Sequence, residues 1–494
     1  MKRYFYFSAL FGVFVGTLLG SNAFAEKILY DNFQSKYISS QKWNNLEFVA
    51  EVDPTLQKLV SKLASKTDGI ITNDILIANP NSVFAVECLI SISETSLGTA
   101  NNQVAYAAIY GTFYNAKPGA TVTGDIQSIL RIEDQGNGLE ATWLIIEALD
   151  DNWDSHARIA SGTLILPGTL TYGTAYQVKL EYNGSDQFMF TVAGQTAIAN
   201  GPSYQRPVVT QAKGLRTLVY SDSPSGRLYI SALFDDVYIN NQVTPYDTFD
   251  TPPLNLTKWW SGESVREISD GSLQLNLQRC NQTYNMNIAL VDNDTPYLEA
   301  KALIESGSQV IAGATGAARV GGYYYNDSRG LGSGLPYNGF EGDIWGEIRL
   351  QIDGPNNLVA RCFVWRWDSA IQSLPGHLLF EKSFNTPITF DTQYALSIKF
   401  ADLKFIFKCN NENYQYDIIT PTYPPHAGQY RELVSRVYLD SGECSYLKAR
   451  FDDVYVEEET ATAIPTINQF GMIVLSLLMV GSVFWVLKRR KRVL

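Results

Sequence analysis

The chain has 494 residues, a formal net charge of −12 and 45% apolar side chains. That length allows more than one domain, and the acidic balance excludes a nucleic-acid partner, since phosphate contacts need Lys and Arg. Aromatics at 13% and 37 glycines favour a β-rich chain with many turns.

Lys2 and Arg3 precede an apolar run from Tyr4 to Leu19, and Ala23-Phe24-Ala25 offers small residues at a cleavage site. Residues 1–25 therefore read as a signal peptide removed before Glu26, and the protein as exported.

The body that follows is one unit written twice. Tyr30-Asp31-x-Phe33 and Lys42-Trp43 recur as Tyr246-Asp247-x-Phe249 and Lys258-Trp259, 216 residues on. Gly124-Asp125-Ile126 recurs as Gly342-Asp343-Ile344, and Phe234-Asp235-Asp236-Val237-Tyr238-Ile239 as Phe451-Asp452-Asp453-Val454-Tyr455-Val456. A period this long makes each copy a whole domain, 26–242 and 243–457, with 458–463 as a linker. Alternating runs such as Tyr176-Gln-Val178-Lys-Leu180-Glu-Tyr182 and Leu273-Gln-Leu275-Asn-Leu277 predict antiparallel strands. Leu56, Leu59, Val60 and Leu63 have helical spacing, but the repeat aligns Leu59 with Leu275 inside an alternating run, so a strand is predicted there.

The predicted fold class is all-β: two tandem antiparallel β-sandwiches, plus a C-terminal transmembrane helix. The opening Asp-x-Phe…Lys-Trp and closing Phe-Asp-Asp-Val-Tyr segments resemble the concanavalin A-like lectin/glucanase superfamily of jelly rolls. The resemblance implies domains that hold sugars on exposed aromatics. Many such domains satisfy an inward Asp with structural calcium. The implied sites are Asp31 with Asp235 or Asp236, and Asp247 with Asp452 or Asp453; the alternative is a metal-free carboxylate capping backbone N–H groups.

Four further features bear on chemistry. Phe363, Trp365 and Trp367 fall on one strand face, and with Tyr325 and Trp345 they form the candidate ligand-binding set; the face is either an open groove or core. The superfamily's Glu-x-Asp-x-(x)-Glu run is absent and the three histidines, His156, His377 and His426, are scattered, so the chain reads as no enzyme. Cys280, Cys362, Cys409 and Cys444 form an even set in the second copy, giving either up to two disulfides in one of three pairings or free buried thiols. Cys88 stands alone in the first copy.

The chain ends with an 18-residue uncharged run, Phe470 to Leu487, and then five basic residues, Lys488 to Arg492. This predicts a membrane-spanning helix, 470–487, with a cytoplasmic tip, 488–492. Its lead-in keeps Ile464-Pro465-Thr466 and Gly471, and segment 464–494 resembles the IPTL-CTERM sorting signals of Gram-negative bacteria, relatives of PEP-CTERM. The resemblance implies an exosortase-type transpeptidase as partner and transfer from the inner membrane to the cell surface or matrix; the alternative is a permanent anchor. The expectation for the whole is a non-catalytic, surface-displayed protein that binds glycans or extracellular matrix. A structural coat protein and a polysaccharide hydrolase or lyase are the alternatives.

Overall fold

The computed structural model describes residues 27–97, 102–119, 121–208, 211–222, 226–292, 294–327, 341–353, 357–368, 376–420, 422–425, 428–439 and 444–457. The predicted signal peptide 1–25, the predicted sorting motif Ile464, Pro465, Thr466 and Gly471, and the predicted span 470–487 lie outside them. No helix among the described residues is long and apolar enough to cross a membrane. By packing the chain divides into two units. Tyr30–Val454 is one. The other joins Met1–Leu29 to Tyr455–Leu494; in it the Lys27 ammonium sits 3.8 Å from the centre of the Tyr455 ring.

The described chain is all-β, with strands numbered β1 to β27 in chain order. One six-stranded sheet runs β4 (Gly69–Leu76), β13 (Lys213–Ser221), β6 (Val104–Asn115), β7 (Asp125–Asp134), β8 (Leu139–Ala148), β9 (His156–Thr163). A second runs β17 (Tyr284–Ala289), β26 (Tyr430–Tyr438), β19 (Thr315–Asn326), β20 (Asp343–Asp353), β21 (Leu358–Arg366), β22 (His377–Ser383). The third is a single sheet of 15 strands that both copies share. The first copy supplies β12 (Gln195–Asn200), β11 (Gln187–Val192), β10 (Tyr176–Tyr182), β5 (Ala85–Ser96), β14 (Leu228–Ile239), β3 (Lys58–Ser65) and β2 (Phe48–Asp53). The order continues into the second copy with β15 (Ser264–Ser269), β16 (Ser272–Cys280), β27 (Cys444–Glu457), β18 (Tyr297–Ile304), β23 (Tyr394–Ala401), β24 (Lys404–Cys409) and β25 (Glu412–Asp417); β1 (Lys27–Asp31) pairs with β27.

Each six-stranded sheet packs on its own half of the shared sheet, which makes two sandwiches. In the first, Leu59, Ile90, Phe190 and Phe234 of the shared sheet meet Ile109, Leu130 and Leu215 of the six-stranded one in one core. In the second, Tyr325 stacks on Phe400 at 5.2 Å and Tyr324 meets Phe405 edge-on at 5.1 Å. Leu59, Val60 and Leu63 lie in β3, as the repeat requires. Their helical spacing loses to the cross-strand register with β2 and β14.

The halves join where β2 meets β15. Ser264 pairs with Ala50, Val265 with Val49, and Arg266 with Phe48. Val49 and Val265 are the same position in the two copies, so the copies are related by a local twofold through that pair. Both valines are fully buried with Val60.

The opening segment of each copy crosses this junction. Trp259 bridges Ile77, and Trp43 bridges Leu290. Phe249, Leu254 and Trp259 belong to the core of the first sandwich. The boundary drawn at 242/243 marks the repeat, but the first sandwich takes core residues from beyond it. Glu47 and Glu263, again equivalent positions, fasten the exchanged segments: Glu47 accepts from Ile38 N–H at 2.7 Å, and Glu263 from Leu254 N–H at 2.9 Å.

Candidate functional site

The site is the outer face of the second six-stranded sheet. Alternation along β20 sends Ile344, Ile348, Leu350 and Ile352 into the core, and Trp345, Glu347 and Arg349 to the opposite face. Register places Glu347 beside Gly321 and Phe363, Gly321 beside Glu432, and Trp345 beside Tyr323 and Trp365. Tyr323, Trp345, Glu347, Trp365 and Glu432 line a cavity of about 520 Å³, with Trp367, Arg319 and Arg436 also in its wall.

Trp345, Trp365 and Trp367 thus line the cavity as the sequence proposed. Tyr325 does not. A β-bulge between Tyr323 and Tyr325 shifts the register, so Tyr323 pairs with Trp345 but Tyr325 with Ile344. The extra residue turns Tyr325 into the core, where it stacks on Phe400. The first copy carries the same bulge between Thr112 and Tyr114.

Beneath the aromatics lies a buried ionic cluster that the sequence reading missed. Arg319 Nη1 and Arg349 Nη1 donate to the two oxygens of Glu347, each at 2.9 Å, and Trp345 Nε1 donates at the same distance. Arg319 Nη2 lies 3.7 Å from Glu432 Oε1, and Asn287 donates to Glu432 Oε2 at 2.7 Å. Burial acts on both carboxylates, yet the outcome differs. Burial raises Glu432, and Arg319, Asn287 and Tyr430 only partly offset it. Burial would raise Glu347 too, but two guanidinium groups and the indole N–H hold it below the usual range. One carboxyl group is thus biased to the protonated form and its neighbour to the ionised form. Strand alternation put Glu347 outward, but only the register of β26 against β19 brings Glu432 to it.

The outer face of the first six-stranded sheet is arranged differently: its ion pairs, Arg131 with Glu133 at 2.9 Å and Arg216 with Asp74 at 2.6 Å, flank an apolar centre. It carries an apolar cluster of Tyr106, Ala108, Tyr110, Ile129, Ile146 and Leu218. Ile129 stands where the second copy has Glu347, at the offset set by Gly124 and Gly342.

The acidic candidates for calcium have other work. Asp31 accepts from Trp43 Nε1 at 2.7 Å and Phe33 N–H at 3.1 Å; Asp247 does the same for Trp259 at 2.6 Å and Phe249 at 3.2 Å. Lys42 and Lys258 stand 3.7 and 3.4 Å from them. Asp235 caps Asp236 N–H, and Asp452 caps Asp453 N–H, where the chain turns through left-handed φ of 46° and 43°. Asp is among the side chains that tolerate such backbone. Lys58 faces Asp235 and Lys301 faces Asp453. The pairing also differs from the expectation, since Asp247 bridges Val237 of the first copy through exchange of the opening segments. Among the described residues no group of three or more His, Cys, Asp or Glu converges as a metal site, and these carboxylates do not fit one.

Of the four cysteines, Cys280 and Cys444 are bonded across β16 and β27. Cys362 and Cys409 are free and buried, as is Cys88; this corrects the inclusion of Cys362 and Cys409 among the candidate disulfides.

No family model matches the chain, and no curated protein matches it. Solved structures do. A β-1,3-1,4-glucanase (lichenase) from a mouse hindgut metagenome is 12% identical, with a TM-score of 0.25 over 39% of this chain and 82% of its own. The catalytic domain of an endo-1,3-β-glucanase (laminarinase) from Thermotoga petrophila is 10% identical, with a TM-score of 0.25 over 40% and 80%. A legume lectin-like domain from Entamoeba histolytica is 16% identical, with a TM-score of 0.23 over 38% and 84%. The expectation that the chain is no enzyme is withdrawn: Glu347 and Glu432 both line the cavity from separate strands, where no contiguous motif announces them.

Proposed function

We propose that the cavity over the second six-stranded sheet binds a carbohydrate chain. The observation that carries this reading is the lining. Trp365 and Trp367, both partly exposed and backed by the buried Tyr323 and Trp345, offer apolar ring faces beside fixed hydrogen-bonding groups, the combination that an apolar sugar face with a hydroxyl rim requires. The test is a glycan array probed with the full chain and with Trp365→Ala and Trp367→Ala. Binding lost in both variants supports the reading; hits indifferent to both substitutions overturn it.

A second reading, polysaccharide cleavage, rests on the carboxylate pair. Two carboxyl groups with protonation pushed apart are what glycosidic hydrolysis uses. Glu432 would give its proton to the leaving oxygen. Glu347, with both oxygens held by N–H donors, would stay ionised and support positive charge at the anomeric carbon. Release of reducing ends from a bound polysaccharide, abolished by Glu432→Gln with binding kept, supports it; no release from any bound glycan removes it.

The proposed setting is the cell envelope. Export through residues 1–25, sorting by an exosortase-type transpeptidase at Ile464-Pro465-Thr466, and passage through the inner membrane on 470–487 rest on the sequence. The Cys280–Cys444 bond is of the kind that persists outside the cytoplasm. A mature N-terminus at Glu26, read from protein purified from the envelope, tests the first step.

A further inference from the structure

The floor of the cavity is rich in donors and poor in acceptors. Both oxygens of Glu347 are taken by Arg319, Arg349 and Trp345, and Glu432 is engaged by Arg319 and Asn287. Among the described residues, Nε of Arg319, Arg349 and Arg436 and Nε1 of Trp367 are buried without a hydrogen-bond partner. Arg436 lies in the wall with its guanidinium 4.0 Å from the centre of the Tyr438 ring; Glu347 acts on it from a distance, but among the described residues no carboxylate forms an ion pair with it within 4.0 Å. Buried donors left unmade are costly, on the order of 1–3 kcal/mol each. Three guanidinium groups face one ionised and one protonation-biased carboxyl group, so the floor is positive in a chain whose net charge is −12.

The two ends of the cavity also differ. Tyr323, Trp345 and Trp365 share one row of the register, whereas Arg436 pairs with Ala317, several residues along and on β26, three strands from β21. At about 4.8 Å per strand, that is roughly 14 Å across the sheet, more than one sugar ring covers.

Resting on the carbohydrate-binding reading above, we infer that the ligand is an acidic polysaccharide, one of whose sugars presents a carboxylate or sulfate to Arg436 while another lies on Trp365 and Trp367. A planar guanidinium suits either anion through two parallel hydrogen bonds. The neutral sugar face goes to the indoles, and the anion supplies the acceptors that the floor lacks.

The test compares matched polymers against the full mature chain by isothermal calorimetry. Polygalacturonate is set against its methyl ester, and a sulfated galactan against the same galactan desulfated. The acid forms are expected to bind about tenfold to a hundredfold tighter than their neutral partners, the range a charge-assisted hydrogen bond supports. Raised salt should narrow the gap, and Arg436→Gln should close it while near-ultraviolet circular dichroism stays native. Preference for one pair alone identifies the anion. Equal or tighter binding of the neutral polymers overturns the inference and leaves the carbohydrate groove standing, and this holds even if Arg436→Gln does not fold. No binding of any polymer overturns both readings.

Discussion

Replacing Trp259 with Ala tests the exchange of opening segments. Trp259 is fully buried. Its ring stacks on Phe249 at 5.6 Å and meets Tyr246 edge-on at 5.6 Å, and its Nε1 donates to Asp247 at 2.6 Å. Removing a buried Trp side chain costs about 3–5 kcal/mol. The lost hydrogen bond adds about 1 kcal/mol, held low because Asp247 keeps Phe249 N–H and Lys258. Trp259→Phe keeps most of the apolar contact and isolates that last part. The informative quantity is where the loss falls, read by hydrogen exchange with mass spectrometry. Because Trp259 bridges Ile77 and its backbone neighbours bond Leu76 and Ala78, protection should fall in β4 and β13 of the first sandwich. β17 and β26 of the second should hold. Protection lost in 284–289 and 430–438 with 69–76 and 213–221 unchanged would refute the exchange, as would a variant as stable as the parent.

Three further outcomes follow from the same contacts. Of the five cysteines, three should react with a thiol reagent in denaturant without reductant and five with it, because Cys88, Cys362 and Cys409 are free; five without reductant would refute the Cys280–Cys444 bond. Burial, with Glu267 and Glu263 nearby, pushes Glu51 up to about 8 from an ordinary 4.5. The unfolded chain ionises first, so this group makes stability fall as pH rises from about 4.5 to about 8, and denaturant melts of Glu51→Gln across that window should show a flatter profile than the parent; an unchanged profile refutes the assignment. Tyr325→Ala should lower stability by about 3–5 kcal/mol while leaving any glycan binding at the proposed cavity unchanged. Trp367→Ala, at the cavity wall, should do the reverse, and calorimetry alongside thermal melts separates the two.

The repeat was legible because it is written in residues that the backbone requires. Asp31 and Asp247 recur because each holds a buried indole and a Phe N–H. The Asp-Asp pairs recur because each sits at a left-handed kink in the closing strand. What they do was not legible: a carboxylate that caps an N–H and one that binds calcium look alike in sequence. Strand alternation found Trp365 and Trp367 on one face, while Tyr325, added to the set as a nearby aromatic, lies in the core because a bulge adds one residue that the sequence does not mark. Glu432 was missed for a different reason. Its meeting with Glu347 is set by the neighbouring strands β26, β19 and β20, and pairing order across a sheet leaves no local mark.

The two copies also show which positions are free to change. Residues facing between the layers serve the same purpose in both: Ile126 and Ile344, Leu130 and Ile348, Ile132 and Leu350 are all buried. Residues facing outward on the six-stranded sheets share less: Arg131 and Arg349 both hold a carboxylate, but not at the same position. There Ile129 stands opposite Glu347 by offset, within an apolar cluster on one side and an ionic one on the other. The charged face carries a standing cost, since its arginines and glutamates are desolvated and, among the described residues, four N–H donors on this face find no partner. The first copy keeps its arginines apart, Arg131 with Glu133 and Arg216 with Asp74, on either side of an apolar centre, whereas the second gathers Arg319 and Arg349 on the one carboxylate of Glu347. Retaining the costly arrangement in the second is the physical ground for assigning the ligand there and not to both.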